Sequence, residues 1–258
     1  MSNLTNIGRI FYGIGIGGIG FLTIYYGDFP YMLIPSNHSW IPGLRLVSYI
    51  FGAMLIMAAV CIVLKKEIRL ISIILAGFLL LIFCLFFIPY QLLASSNFMQ
   101  FGDWENAEKE LALSGGAFVI AGCFTGNNEN TPIRFLTKLL PLGTILFAIT
   151  IISFGIDHFL YAKEAADYVP SWIPNHLFWI YFAGIPLIGS GIGIIFKIRV
   201  RLIASLLGTM IFNWFIILHI PYVITSHFSD IGGEVTSAFL ALAYSGIAFV
   251  IAGVAKKN

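Results

Sequence analysis

What most constrains this chain is the spacing of its charges. Apolar runs long enough to cross a bilayer as helices follow one another along its length, and the charged residues fall between them. A backbone in lipid must satisfy its own polar groups, so runs of this length are read as helices. Eight spans are expected, at about 8–27, 44–64, 69–92, 109–124, 138–161, 177–196, 201–223 and 235–254. The fourth is the weakest, being short and beginning among charges. Across 258 residues the composition is 59% hydrophobic and only 10% charged, which excludes a soluble domain and leaves an all-α polytopic membrane protein. A net charge of +2 gives no reason to invoke nucleic acid. Cys61, Cys84 and Cys123 form no C-x-x-C pair and no metal-ligand spacing. The first run has no convincing cleavage site and reads as a retained span.

The basic residues orient the spans. Arg9, Lys65, Lys66, Arg69, Arg134, Lys138, Lys197, Arg199, Arg201, Lys256 and Lys257 collect on one side, leaving only Arg45, Lys109 and Lys163 on the other. That side is expected to be cytoplasmic, with both termini. Acidic residues reverse the pattern, since only Glu67 and Glu129 fall inside.

The two halves of the sequence resemble each other. "WIP" at 40–42 recurs at 172–174, Arg69-Leu70 as Arg201-Leu202, and "IPY" at 88–90 as 220–222, all at an offset of 132. "SGGAFVIAG" (114–122) recurs as "SGIAFVIAG" (245–253) at an offset of 131. Ordered matches at a near-constant offset indicate duplication. Units of four spans each, 1–126 and 127–258, share one orientation about an approximate two-fold axis along the membrane normal. At the 132 offset Asp157 and His158 fall on Tyr25 and Tyr26, His176 on Leu44, and His219 on Phe87. The second half is the more polar at its outer mouth, which fits one specialised and one supporting half, or unequal drift of the two.

Within that half, "IISFGIDHFL" (151–160) places Asp157 and His158 near the outer end of an apolar run. An ionisable group inside a span is a functional-site candidate, although a group this shallow can also serve to anchor a loop. Asp157, Tyr161 and Glu164 share a stripe if the helix continues. His219 stands before Pro221, whose ring frees a backbone carbonyl. His176, His227 and Glu234 lie on the same side, at spacings that fit no standard metal motif. Asn213 and Trp214 either line a cavity or join helices. In "DWENAEKELAL" (103–113) the acids suit a helix N-terminus, and Glu110 is the member expected to point inward. "GIGGIG" (15–20) spells a dinucleotide motif, but inside an apolar span its glycines serve close helix packing. The Pro- and Trp-bearing outer loops place Trp40 and Trp172 at the interface, and Asn37-His38-Ser39 spells a glycosylation sequon.

The stretch 155–204 resembles the core of the DoxX-like family of small four-span bacterial membrane proteins. The resemblance is carried by Gly155, His158 and Phe159, by Val169, Pro170, Trp172 and Pro174, by Tyr181 and Gly184, and by Lys197, Arg199 and Arg201. Pro221-Tyr222 supplies the closing Pro-aromatic element of the third span. The first half matches more loosely, through Trp40, Pro42, Tyr49, Gly52, Arg69 and Pro89-Tyr90, and lacks the His-Phe element. The resemblance implies a fused, diverged pair of four-helix units in a bacterial inner membrane. Its motif residues are mostly Pro, Gly and aromatic, which speak for a shared frame before a shared reaction. Family links to thiosulfate:quinone oxidoreduction imply a redox-associated subunit binding a quinone or other small hydrophobic ligand near the outer face. Asp157 and His158 would then handle protons and His219 and Tyr222 would bond the head group, with Tyr181 beside them. A partner subunit would supply electrons. The alternative is a non-enzymatic carrier, lipid-binding or assembly protein, and the sequence leaves open whether the chain is an enzyme.

Overall fold

In a computed structural model the described residues are 2–35, 41–124, 131–226 and 233–256, and among them every regular element is helical. Trp40, the Asn37-His38-Ser39 sequon, Glu129, His227 and Lys257 lie outside the described residues. Seven helices are long and apolar enough to cross a membrane. They are α1 (Asn3–Tyr26), α2 (Leu44–Leu64), α3 (Ile68–Ala94), α6 (Leu142–Leu160), α8 (His176–Ile195), α9 (Val200–Ile224) and α10 (Glu234–Val254). Between them lie α4 (Glu105–Gly122) and two short helices, α5 (Thr131–Thr137) and α7 (Ala162–Ala166).

The weak fourth segment is a central helix. Every residue from Ala112 to Ala121 is buried, as is every residue from Leu240 to Ala248 on α10. Both helices are enclosed on all sides by protein. A helix shielded from lipid tolerates charges at one end, which is why α4 alone among the long helices begins with Glu105, Glu108, Lys109 and Glu110.

The hairpin turns that join α2 to α3 and α8 to α9 are built alike. Lys65 (φ 60°) and Glu67 (φ 45°) occupy the left-handed region in the first, Lys197 (φ 58°) and Arg199 (φ 39°) in the second. The first residue of each pair ends its helix in a Schellman motif: Lys66 N donates to Cys61 O at 3.0 Å and Ile198 N to Gly193 O at 2.8 Å. A non-glycine residue there costs about 1–2 kcal/mol, yet the turn reverses the chain in a few residues.

α3 and α9 are not uniformly α-helical. Each passes through a π turn, Phe83–Phe87 and Phe215–His219, directly before Ile-Pro-Tyr. Proline has no N–H to donate and its ring crowds the carbonyl four residues back, so the preceding turn widens. α3 has a second π turn at Tyr90–Ala94, after its proline.

Glycines set the closest approaches. A Cβ on Gly20 would stand 2.7 Å from Gly52 O, and one on Gly155 would stand 2.9 Å from Gly184 O. These contacts join α1 to α2 and α6 to α8. A Cβ on Gly115 would meet Gly143 O at 2.7 Å, joining α4 to α6, and Gly8 meets Gly246 in the same way, joining α1 to α10. Helices α4 and α10 each pack beside a helix of the opposite half of the chain. These contacts also correct the register read from sequence. Gly52 and Gly184 are 132 positions apart, but Gly20 and Gly155 are 135 apart. Three extra residues therefore lie between α1 and α2, and Asp157 and His158 match Leu22 and Thr23 in place of Tyr25 and Tyr26. Tyr12 and Phe147, both fully buried, match in the same register.

Arg9, Arg69, Lys197, Arg199, Arg201 and Lys256 gather at one end. Arg69 Nη1 donates to Phe124 O at 2.6 Å and to Ala121 O at 3.2 Å, tying the start of α3 to the end of α4. The buried Arg9 guanidinium donates to Ile62 O and Val63 O at the end of α2.

Candidate functional site

The acidic end of the bundle holds the candidate site. It forms where α4 meets α6, with the π turn of α9 alongside. α6 is clamped by glycine contacts on two faces, to α4 through Gly143 and to α8 through Gly155. The clamp carries Ser153 and Asp157, four residues apart on one face, toward the first turns of α4. Ser153 Oγ donates to Glu108 Oε1 at 2.6 Å, and Thr150 Oγ1 donates to Glu108 O at 3.1 Å. Glu105, Glu108 and Lys109 are the electrostatic neighbours of Asp157, and Lys109 is also that of His219. Lys109 Nζ is engaged by Glu105 Oε1 at 2.7 Å.

This cluster has unmet hydrogen-bonding capacity. Among the described residues, Glu108 Oε2, Asp157 Oδ1 and His219 Nδ1 are buried and accept from or donate to nothing. Leaving such an atom unpaired costs about 1–3 kcal/mol. Three helices thus bring three unsatisfied polar atoms to one end of the bundle.

The residues singled out in the sequence separate here. Asp157 and His219 belong to the cluster. His158 is tied to its own helix, Nδ1 lying 2.7 Å from Phe154 O, and its ring stacks on Trp214 at 6.0 Å. Trp214 therefore joins helices, while Asn213 is exposed. Tyr181 stacks on Phe159 at 5.6 Å on an exposed face. Tyr222 donates to Asp167 O at 3.1 Å and lines a separate 350 Å³ recess with Glu164, Asp167 and Tyr168. The expected stripe of Asp157, Tyr161 and Glu164 is broken, because α6 ends at Tyr161 (φ −118°, ψ 36°). Tyr161 Oη instead accepts from Gly102 N at 3.0 Å.

Glu110 points inward as expected. It is fully buried, and neither of its oxygens has a partner among the described residues. The flanking tyrosines do not serve it: Tyr12 Oη donates to Leu113 O at 2.7 Å and Tyr244 Oη to Lys109 O at 3.1 Å. Glu108 and Ser153 are the members that sequence reasoning missed. The four-residue step from Ser153 to Asp157 was visible, but nothing in the sequence says that α4 faces α6.

Compared with family models, curated proteins and solved structures, the chain matches none of them.

Proposed function

We propose that the chain is an eight-span integral protein of a bacterial inner membrane, a fused pair of DoxX-like four-helix units (1–126 and 127–258) with both termini cytoplasmic. The like-built hairpin turns, the π turns 132 residues apart and the paired glycine contacts support this reading. So does the central burial of α4 and α10, the fourth long helix of each unit. With 18 residues α4 reaches about 27 Å, enough for the eighth span.

The function that follows is binding of a small hydrophobic ligand with a hydrogen-bonding head group, near the outer face. A quinone is the candidate. The observation that carries it is the set of unpaired buried atoms Glu108 Oε2, Asp157 Oδ1 and His219 Nδ1, which a polar head group would satisfy. Quinone reduction takes up two electrons and two protons. Asp157 and Glu108 would pass the protons, and a partner redox subunit would supply the electrons. The second reading, a non-enzymatic carrier, lipid-binding or assembly protein, is favoured by the glycine-clamped frame, which makes packing the main role of the matched residues.

Native mass spectrometry of the gently purified protein, with organic extraction and metal analysis of the same sample, tests the first reading. The expected result is one quinone per chain, lost in Asp157→Ala and His219→Ala while both remain folded. Tyr181→Phe and Tyr222→Phe retain it, since neither hydroxyl reaches the cluster. Retention of bulk phospholipid alone would favour the second reading.

A further inference from the structure

At the basic end, opposite the candidate site, a cavity of about 1020 Å³ opens between the ends of α6, α8, α9 and α10. Lys197, Arg199, Arg201 and Lys256 line it, together with Thr144, Ile145 and Val254. Among the described residues none of these four cations is paired with a carboxylate. The N-terminus of α9 also lies there, with no side chain capping its free N–H groups.

The corresponding place in the first half is occupied differently. In the register set by the glycine contacts Thr144 matches Arg9, and Ile194 and Ile195 match Ile62 and Val63. The Arg9 guanidinium lies against the carbonyls of Ile62 and Val63 and fills that corner from within. In the second half a threonine stands in its place and the corner belongs to the cavity. Glu67, an acid, is matched by Arg199. Arg69 donates to the carbonyls of Ala121 and Phe124 at the end of α4, whereas its match Arg201 lines the cavity. One half has thus filled this place with Arg9 and set an acid, Glu67, in its turn, while the other has left it open and placed Arg199 where that acid stands.

We propose that this cavity binds a phosphate-bearing anion, held by Lys197, Arg199, Arg201 and Lys256 and by the N-terminus of α9. Four cations converging on a recess between spanning helices suit a phosphate group. Leu202, Val254 and Ile145 at its rim are exposed apolar residues on the lipid-facing surface, which lets the acyl chains of an inner-leaflet phospholipid lie alongside. The same chemistry would take inorganic phosphate. This inference is independent of the ligand proposed at the opposite end.

Native mass spectrometry of the full chain in detergent, titrated separately with phosphatidylglycerol, phosphatidylcholine and inorganic phosphate, tests the proposal. The decisive variant is Thr144→Arg, which adds a positive charge but plugs the corner as Arg9 does. Arg199→Glu restores the acid of the first half. Circular dichroism and gel filtration establish that each variant folds. One phosphatidylglycerol per chain, held over phosphatidylcholine and lost in Thr144→Arg, is expected and identifies a lipid site. A phosphate adduct with the same loss and no lipid preference identifies a soluble anion. Arg199→Glu weakens either by about fivefold or more. Equal binding of both lipids without a phosphate adduct overturns the proposal. So does tighter phosphatidylglycerol binding by Thr144→Arg, the outcome of surface charge alone. If Thr144→Arg does not fold, undiminished binding by Arg199→Glu overturns it equally.

Discussion

Glu110 is a carboxyl enclosed by protein with no hydrogen-bond partner among the described residues. Such a residue lowers stability, and an apolar side chain of similar size should relieve the cost. Glu110→Leu is therefore expected to raise the melting temperature of the detergent-solubilised protein, by the equivalent of about 1–3 kcal/mol. A fall would mean that Glu110 has a bound partner, which thermal melts before and after organic extraction would expose. Sequence foresaw this residue because its place among the charges of a helix start is a matter of periodicity. It also foresaw Asp157, a carboxylate in an apolar run. It did not foresee Glu108, whose meaning comes from Ser153 on a helix of the other half. Periodicity tells which residues share a helix face and says nothing of which helix that face meets.

At the scale of elements, glycine position decides packing. Gly115→Ala would drive a methyl group into Gly143 O and part α4 from α6. A loss of roughly 1–3 kcal/mol is expected, seen as a lower melting temperature. Gly189→Ala on α8 meets nothing within 4 Å and replaces glycine by a better helix former. It should be neutral or stabilising by up to about 1 kcal/mol. If both variants destabilise equally, close approach is not what holds these helices. The apolar spans were legible because lipid demands long apolar helices. The π turns were legible only as prolines, since widening is the response of the preceding turn. The register of α1 against α6 was hidden, because every sequence match lies beyond the first helix of its half.

At the scale of the molecule, the charge asymmetry predicts sidedness. In a background with Cys61, Cys84 and Cys123 replaced, a single cysteine at Lys66 or Lys256 should resist a membrane-impermeant thiol reagent in intact cells and react after lysis. One at Asn97 or Asp167 should react in intact cells. The reverse pattern would invert the topology and move the basic cavity to the outer leaflet. Of the architecture, the run of long apolar helices was legible in the sequence. The crossing of central helices between halves was not, since a repeat can pack its last helix on itself or on its neighbour without changing a motif. That crossing has a consequence for synthesis. α1 meets α10, a helix made long after it, through Gly8 and Gly246, and Ser2 Oγ donates to Gly253 O at 3.0 Å. During translation the Gly8 face of α1 waits, bare in the bilayer, until α10 has been made. A nascent chain halted before residue 234 lacks the helix that covers it, so the bundle closes only when α10 docks beside α1.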